Sequence, residues 1–121
     1  MKLTVQELYN LIDGLSSLLD KEIPTSVAFS VQRNFKRISE EVKASDEVRK
    51  TIVEKYKEKD NEDGTIQLKK DKLKNYQKES DELMQQEVDI DLRVINLADL
   101  GESIKPRILG LLEPIIEEVT E

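Results

Sequence analysis

A chain of 121 residues with no cysteine and no histidine has no thiol chemistry, no disulfide, and neither the commonest general base nor the commonest metal-binding side chain. That excludes nucleophilic triads and zinc sites of the usual kinds. Charged residues make up 37%, equal to the hydrophobic share, only five side chains are aromatic and the net charge is −7, so the core must be aliphatic and modest.

The charge is unevenly spread. Residues 33–59 carry +3 and residues 79–121 carry −9. The acidic third therefore either lies across the basic middle or the two face different partners, and the intramolecular arrangement is the default. The length fits one domain, 1–121. Met1-Lys2-Leu3-Thr4 leads straight into an amphipathic pattern, with no signal peptide and no apolar run of membrane-spanning length. A cytoplasmic protein with no membrane association is expected.

Thr4 with Glu7 three residues later is a capping-box sequence. It opens a first helix, 4–19, whose stripe is Leu8, Leu11, Ile12, Leu15, Leu18 and Leu19. Gly14 inside it costs about 1 kcal/mol relative to Ala, which a close approach of the next helix would offset. Asp20 to Ile23 is short enough to make the two helices antiparallel.

Residues 23–60 read as one long helix. Ala28, Val31, Phe35, Ile38 and Val42 keep to one face. The pattern loosens at Ser45, the expected place for a kink or a frayed join, and resumes at Val48, Ile52 and Tyr56. Pro24 suits the first turn, with Thr25 or Ser26 as alternative caps. Such a helix spans roughly 50 Å, more than a compact chain of this size needs to cover.

Lys59-Asp60-Asn61-Glu62-Asp63-Gly64 is turn chemistry. Placed as a calcium loop with Gly64 at position six, it has Lys59 and Lys70 where the terminal acidic ligands belong, so that reading fails. Thr65 to Leu68 alternates as a short strand. Lys70 to Gln86 is a third helix with Asp71 as a candidate cap and Leu73, Tyr76, Ser80, Leu83 and Met84 as its buried face. Glu87 to Leu92 alternates cleanly, with Val88, Ile90 and Leu92 inward. The two strands are expected to pair with each other. Val94, Ile95, Leu97 and Leu100 form an irregular apolar segment that Gly101 breaks. From Ser103 to Val119 an apolar run follows, opened as a helix near Pro106 and kinked or restarted at Pro114.

No phosphate-loop or dinucleotide glycine motif occurs. Carboxylate pairs stand at Glu40/Glu41, Asp89/Asp91 and Glu117/Glu118. Asp89 and Asp91 share a strand face and could converge on magnesium or calcium, although a solvated strand face is the stronger reading. Lys69, Lys70, Lys72, Lys74 and Lys78 with Tyr76 raise nucleic acid. These lysines spread around a helix whose apolar stripe holds Tyr76, and the chain is acidic, which makes nucleic acid the weaker partner.

The order of pieces resembles small, mostly helical, mostly uncharacterised proteins of phages and prophages of Gram-positive bacteria. The likeness rests on the leucine-rich first helix, IPTSVAFSVQRNFKRISEEV, VEKYKEKDNEDGTIQL, DELMQQEVDIDLRVINLADL and the closing ILGLLEPII. It implies a phage context, host cytoplasm and an accessory role, and it transfers no functional residue. The fold expected is mainly α with a small β element (α+β): an antiparallel pair with one long central helix, a third helix, a two-stranded sheet and a C-terminal apolar helix. The function expected is non-enzymatic protein–protein interaction with a host or phage protein, as a virion-assembly helper or a modulator of a host or defence protein. Self-association through helical apolar surface is a further expectation, and nucleic-acid binding through the basic middle is the alternative. No catalytic, cofactor-binding or metal residue, and no cofactor, is assigned.

Overall fold

The structure is a computed structural model that describes residues 1–101 and 103–118. It is mostly helical with a minor β component. The chain runs β1 (Lys2–Thr4), α1 (Val5–Ser16), α2 (Thr25–Tyr56), β2 (Lys57–Asp60), β3 (Ile66–Leu68), α3 (Leu73–Met84), β4 (Glu87–Asp89), β5 (Ile95–Asn96), α4 (Pro106–Leu112) and β6 (Ile116–Glu117). Single 3₁₀ turns sit at Lys70–Lys72, Leu97–Leu100 and Glu113–Ile115.

The capping box forms as its residue types require. The Thr4 hydroxyl accepts from the Glu7 backbone N–H at 3.1 Å, and the Glu7 carboxylate accepts from the Thr4 N–H at 3.0 Å. Two otherwise unpaired donors are thus satisfied at the start of α1. The helix ends at Ser16, short of Leu19, which is 44% exposed. Leu8, Leu11 and Leu15 are fully buried, and with α2 they build the main core.

α2 has 32 residues, about 48 Å at 1.5 Å per residue. It is continuous through Ser45, which is itself buried, so no frayed join interrupts the helix there. Pro24 stands just outside the helix, and no side chain caps that end. The buried stripe is Val27, Val31, Asn34, Ile38, Val42, Ser45 and Tyr56; it keeps Val31, Ile38, Val42 and Tyr56 of the expected face and takes in Val27, Asn34 and Ser45. Ala28 is exposed, Phe35 is half-buried and Val48 is 48% exposed.

The helix stops at Tyr56, not Asp60. Lys57–Asp60 leaves it as β2 and pairs antiparallel with β3. The expected pairing of 65–68 with 87–92 is thereby overturned, because each strand has a different partner. β4 pairs antiparallel with β1, in register Lys2↔Asp89, Leu3↔Val88 and Thr4↔Glu87. The ladder is extended by Val5 N–H to Gln86 C=O and Ile90 N–H to Met1 C=O, both 2.9 Å. A third pair, β5 with β6, is parallel. The single expected sheet is thus three separate two-stranded ones among the described residues. In the β2–β3 turn, Gly64 takes φ +88°, a conformation glycine adopts without steric cost. Asp63 caps that turn by accepting from the Thr65 N–H at 3.0 Å.

α3 docks on the distal half of α2, where Tyr56 and Tyr76 meet edge to face at 6.3 Å. None of its side chains is fully buried, Leu73 is 48% exposed, and Asp71 provides no cap. α4 packs on α1. The gap at Gly14 is filled by this helix and not by α2: a Cβ added there would lie 2.8 Å from Leu112 Cδ2 and 3.1 Å from Leu111 Cβ. Leu112 and Ile115 are fully buried, while Leu109 and Leu111 are half-buried. Pro106 opens α4 and Pro114 falls in the 3₁₀ turn that ends it, as a residue without an N–H requires. Val119 lies outside the described residues.

The basic middle and the acidic third do meet, at Arg37–Asp91 (3.1 Å) and Lys55–Glu79 (2.8 Å). No helix of the described residues is long and apolar enough to cross a membrane.

Candidate functional site

The side of α2 turned away from the core carries Phe29, Arg33, Lys36, Arg37 and Glu40, spaced by three and four so that they share one helical face. Phe29 is 52% exposed, a large apolar ring in water on the polar side of an amphipathic helix. The Arg33 guanidinium carbon stands 5.7 Å from its ring centre and that of Arg93 stands 4.9 Å away. Both lie within cation–π range.

Arg93 reaches this place because Asn34 holds its backbone. Asn34 is 1% exposed. Its Nδ2 donates to the Arg93 carbonyl and its Oδ1 accepts from the Arg93 N–H, each at 2.8 Å. The side-chain amide thus imitates one rung of a β-ladder and pairs both backbone groups of Arg93, which lies between β4 and β5. Arg37 adds a second pin, donating to the Asp91 carbonyl at 2.6 Å while pairing with its carboxylate. The segment 91–94 is therefore fixed against α2, and Val94 emerges from it 46% exposed. Val94 borders an open groove of about 160 Å³ with Ser26, Ser30, Asn96 and Asp99. Arg33, Lys36, Arg37 and Glu40 line a second, of about 210 Å³. Among the described residues neither Arg33, Lys36 nor Arg93 makes an ion pair.

Two other polar constellations serve packing. Between α1 and α2 the Tyr9 hydroxyl donates to Asp46, with Arg49 5.1 Å above the Tyr9 ring. Burial, then the hydrogen bond to Asp46, holds the Tyr9 hydroxyl above its ordinary pKa. At the distal end, Lys55 donates to Glu79, which lowers the Glu79 pKa, and Glu79 beside Tyr56 raises that of the tyrosine.

Asp89 faces the Met1 amine at 3.2 Å and Asp91 pairs with Arg37, so each is already held by a cation. Glu40 joins the basic groove while Glu41 is half-buried, and Glu117 and Glu118 are exposed. Lys69, Lys70, Lys72, Lys74 and Lys78 are all exposed on the distal end, whereas Tyr76 is packed against Tyr56. The aromatic and the lysines therefore do not form one face.

Phe29, Asn34 and Arg93 went unassigned in the sequence. Asn34 was detectable: Val27, Val31, Asn34, Ile38 and Val42 step by four, three, four and four, with one polar residue in an apolar stripe. Compared with protein-family models, curated proteins and solved structures, the chain matches none.

Proposed function

We propose that the chain works without catalysis, as a phage or prophage accessory protein that holds a protein partner on the Phe29 face of α2. The observation that carries this reading is Phe29 itself, half in water and flanked by two guanidiniums, one of them on Arg93, whose backbone Asn34 holds. Aromatic and arginine side chains are the types over-represented where interfaces gain most of their energy. The partner is a host or phage protein, and the role is that of a virion-assembly helper or a modulator of a host or defence protein.

Affinity capture from a Gram-positive host lysate tests this, with the wild-type chain and Phe29→Asp run side by side. A protein retained by the wild type and lost from a variant of unchanged melting temperature is the expected result. Identical captures from the two would overturn the assignment of this face.

A further inference from the structure

The cations around Phe29 specify what kind of segment fits there. Arg33, Lys36 and Arg93 are without carboxylate partners among the described residues, although the chain carries net charge −7. Arg33 and Arg93 over Phe29, with Lys36 about one helical turn beyond Arg33, form a local field opposite in sign to the net charge. At physiological ionic strength the screening length is about 8 Å, so a small ligand at this patch feels mainly the patch.

The patch is also short. Glu40 closes it at one end and Asp99 borders the Val94 groove at the other. A polyanion such as single-stranded nucleic acid gains affinity by neutralising several phosphates along a track, and here that track meets a carboxylate at both ends. One or two acidic side chains fit between them. The fork of an arginine matches a carboxylate through paired N–H donors, and the uncovered apolar surface of Phe29 and Val94 needs a hydrophobic neighbour. Resting on the reading of this face as a docking surface, we infer that its occupant is a short extended peptide segment of a partner protein, with one or two Asp or Glu residues beside a large apolar one. The carboxylates take Arg33 and Arg93, and the apolar side chain covers Phe29 and Val94. A globular acidic face does not suit, because the remaining negative charge of this chain would oppose it at close range.

The test is selection of a displayed random-peptide library on the full chain, followed by titration of the enriched synthetic peptides. Arg33→Glu/Arg93→Glu is the reading variant. Lys74→Glu/Lys78→Glu, which changes net charge equally at the distal end, is the control. The expected result is enrichment of Asp or Glu next to Leu, Ile, Phe or Met. Binding should weaken at least about tenfold in the reading variant, the scale of losing one charge-assisted hydrogen bond, and change little in the control. Enriched peptides without acidic residues, or equal losses in both variants, would overturn the inference while leaving the Phe29 face as a docking surface. Binding unaffected by Phe29→Ala would remove that surface itself. An oligo-dT probe bound more tightly than any peptide, and lost in the reading variant, would overturn the inference in favour of nucleic acid.

Discussion

Asn34 joins the core to the exposed patch through a single side chain. It is buried in α2, yet both its polar atoms are spent on the backbone of Arg93. Replacing it with Ala leaves a part-buried N–H and a part-buried C=O of Arg93 without this partner and opens a small void in α2. Such a change costs on the order of 2–3 kcal/mol. Asn34→Asp keeps the acceptor for the Arg93 N–H but sets an anion against the Arg93 carbonyl, and should be at least as damaging. Urea midpoints for both variants check this; a midpoint for Asn34→Ala equal to wild type would show that the 91–94 segment is held by other contacts. Because the same amide holds the Arg93 backbone beside α2, Asn34→Ala should also disturb any ligand of the Phe29 patch without touching it.

At the scale of elements, α2 determines most of the architecture, and its rotation distinguishes two neighbouring side chains. Ile38 is fully buried while Phe35 is half-buried at the edge of the core. Ile38→Ala should cost about 2–5 kcal/mol. Phe35→Ala, although it removes a larger side chain, should cost less, about 1–2 kcal/mol at a partly exposed site. Thermal unfolding of the two variants decides the order, and a reversed order would return the stripe to Phe35. The mostly helical, minor-β character was legible in the sequence because local signals carry it: the Thr4–Glu7 box, the 3.6-residue periodicity, Asp63-Gly64, and prolines at 106 and 114. What escaped depended on partners far along the chain. Lys57-Glu-Lys-Asp has the composition of an exposed helix end, and only pairing with Ile66–Leu68 makes it a strand. Lys2-Leu3-Thr4 is too short to signal anything before β4 arrives. The alternation of Glu87–Leu92 placed its buried side correctly but held no information about which strand would lie beside it. The candidate patch was missed for a related reason: an exposed aromatic on a polar helix face looks like noise until Arg93, sixty-odd residues later, is brought over it.

Over the whole molecule, polar contacts outside the core give the distal end its own pH dependence. The hydrogen bond from Lys55 holds Glu79 below its ordinary pKa, so its ionised form is favoured in the folded chain. The stability it contributes is present above the ordinary carboxylate range and is lost as pH falls through the lowered value. Lys55 is raised, by its hydrogen bond to Glu79 first, and Tyr56 is raised as well. Their contributions are present below their ordinary values and vanish as pH rises through the raised ones. Glu79→Gln should therefore melt below wild type near neutrality, with the gap closing in acid as the wild-type carboxylate protonates. A gap independent of pH would mean that Glu79 acts through packing alone.

The seat of Leu112 against Gly14 has a consequence for how the protein is made. α1 leaves the ribosome about a hundred residues before the side chain that fills its notch, and β1 waits nearly as long for β4. Long sequence separations of this kind slow folding, because the chain must close large loops before the contacts reward it. During synthesis the leucine face of α1 has α2 for company but lacks its second neighbour, so a nascent chain displays a half-covered apolar surface until α4 emerges. A stall in translation between Gly101 and Pro106 would prolong that interval, when the unfinished protein is most exposed to aggregation or capture by a chaperone.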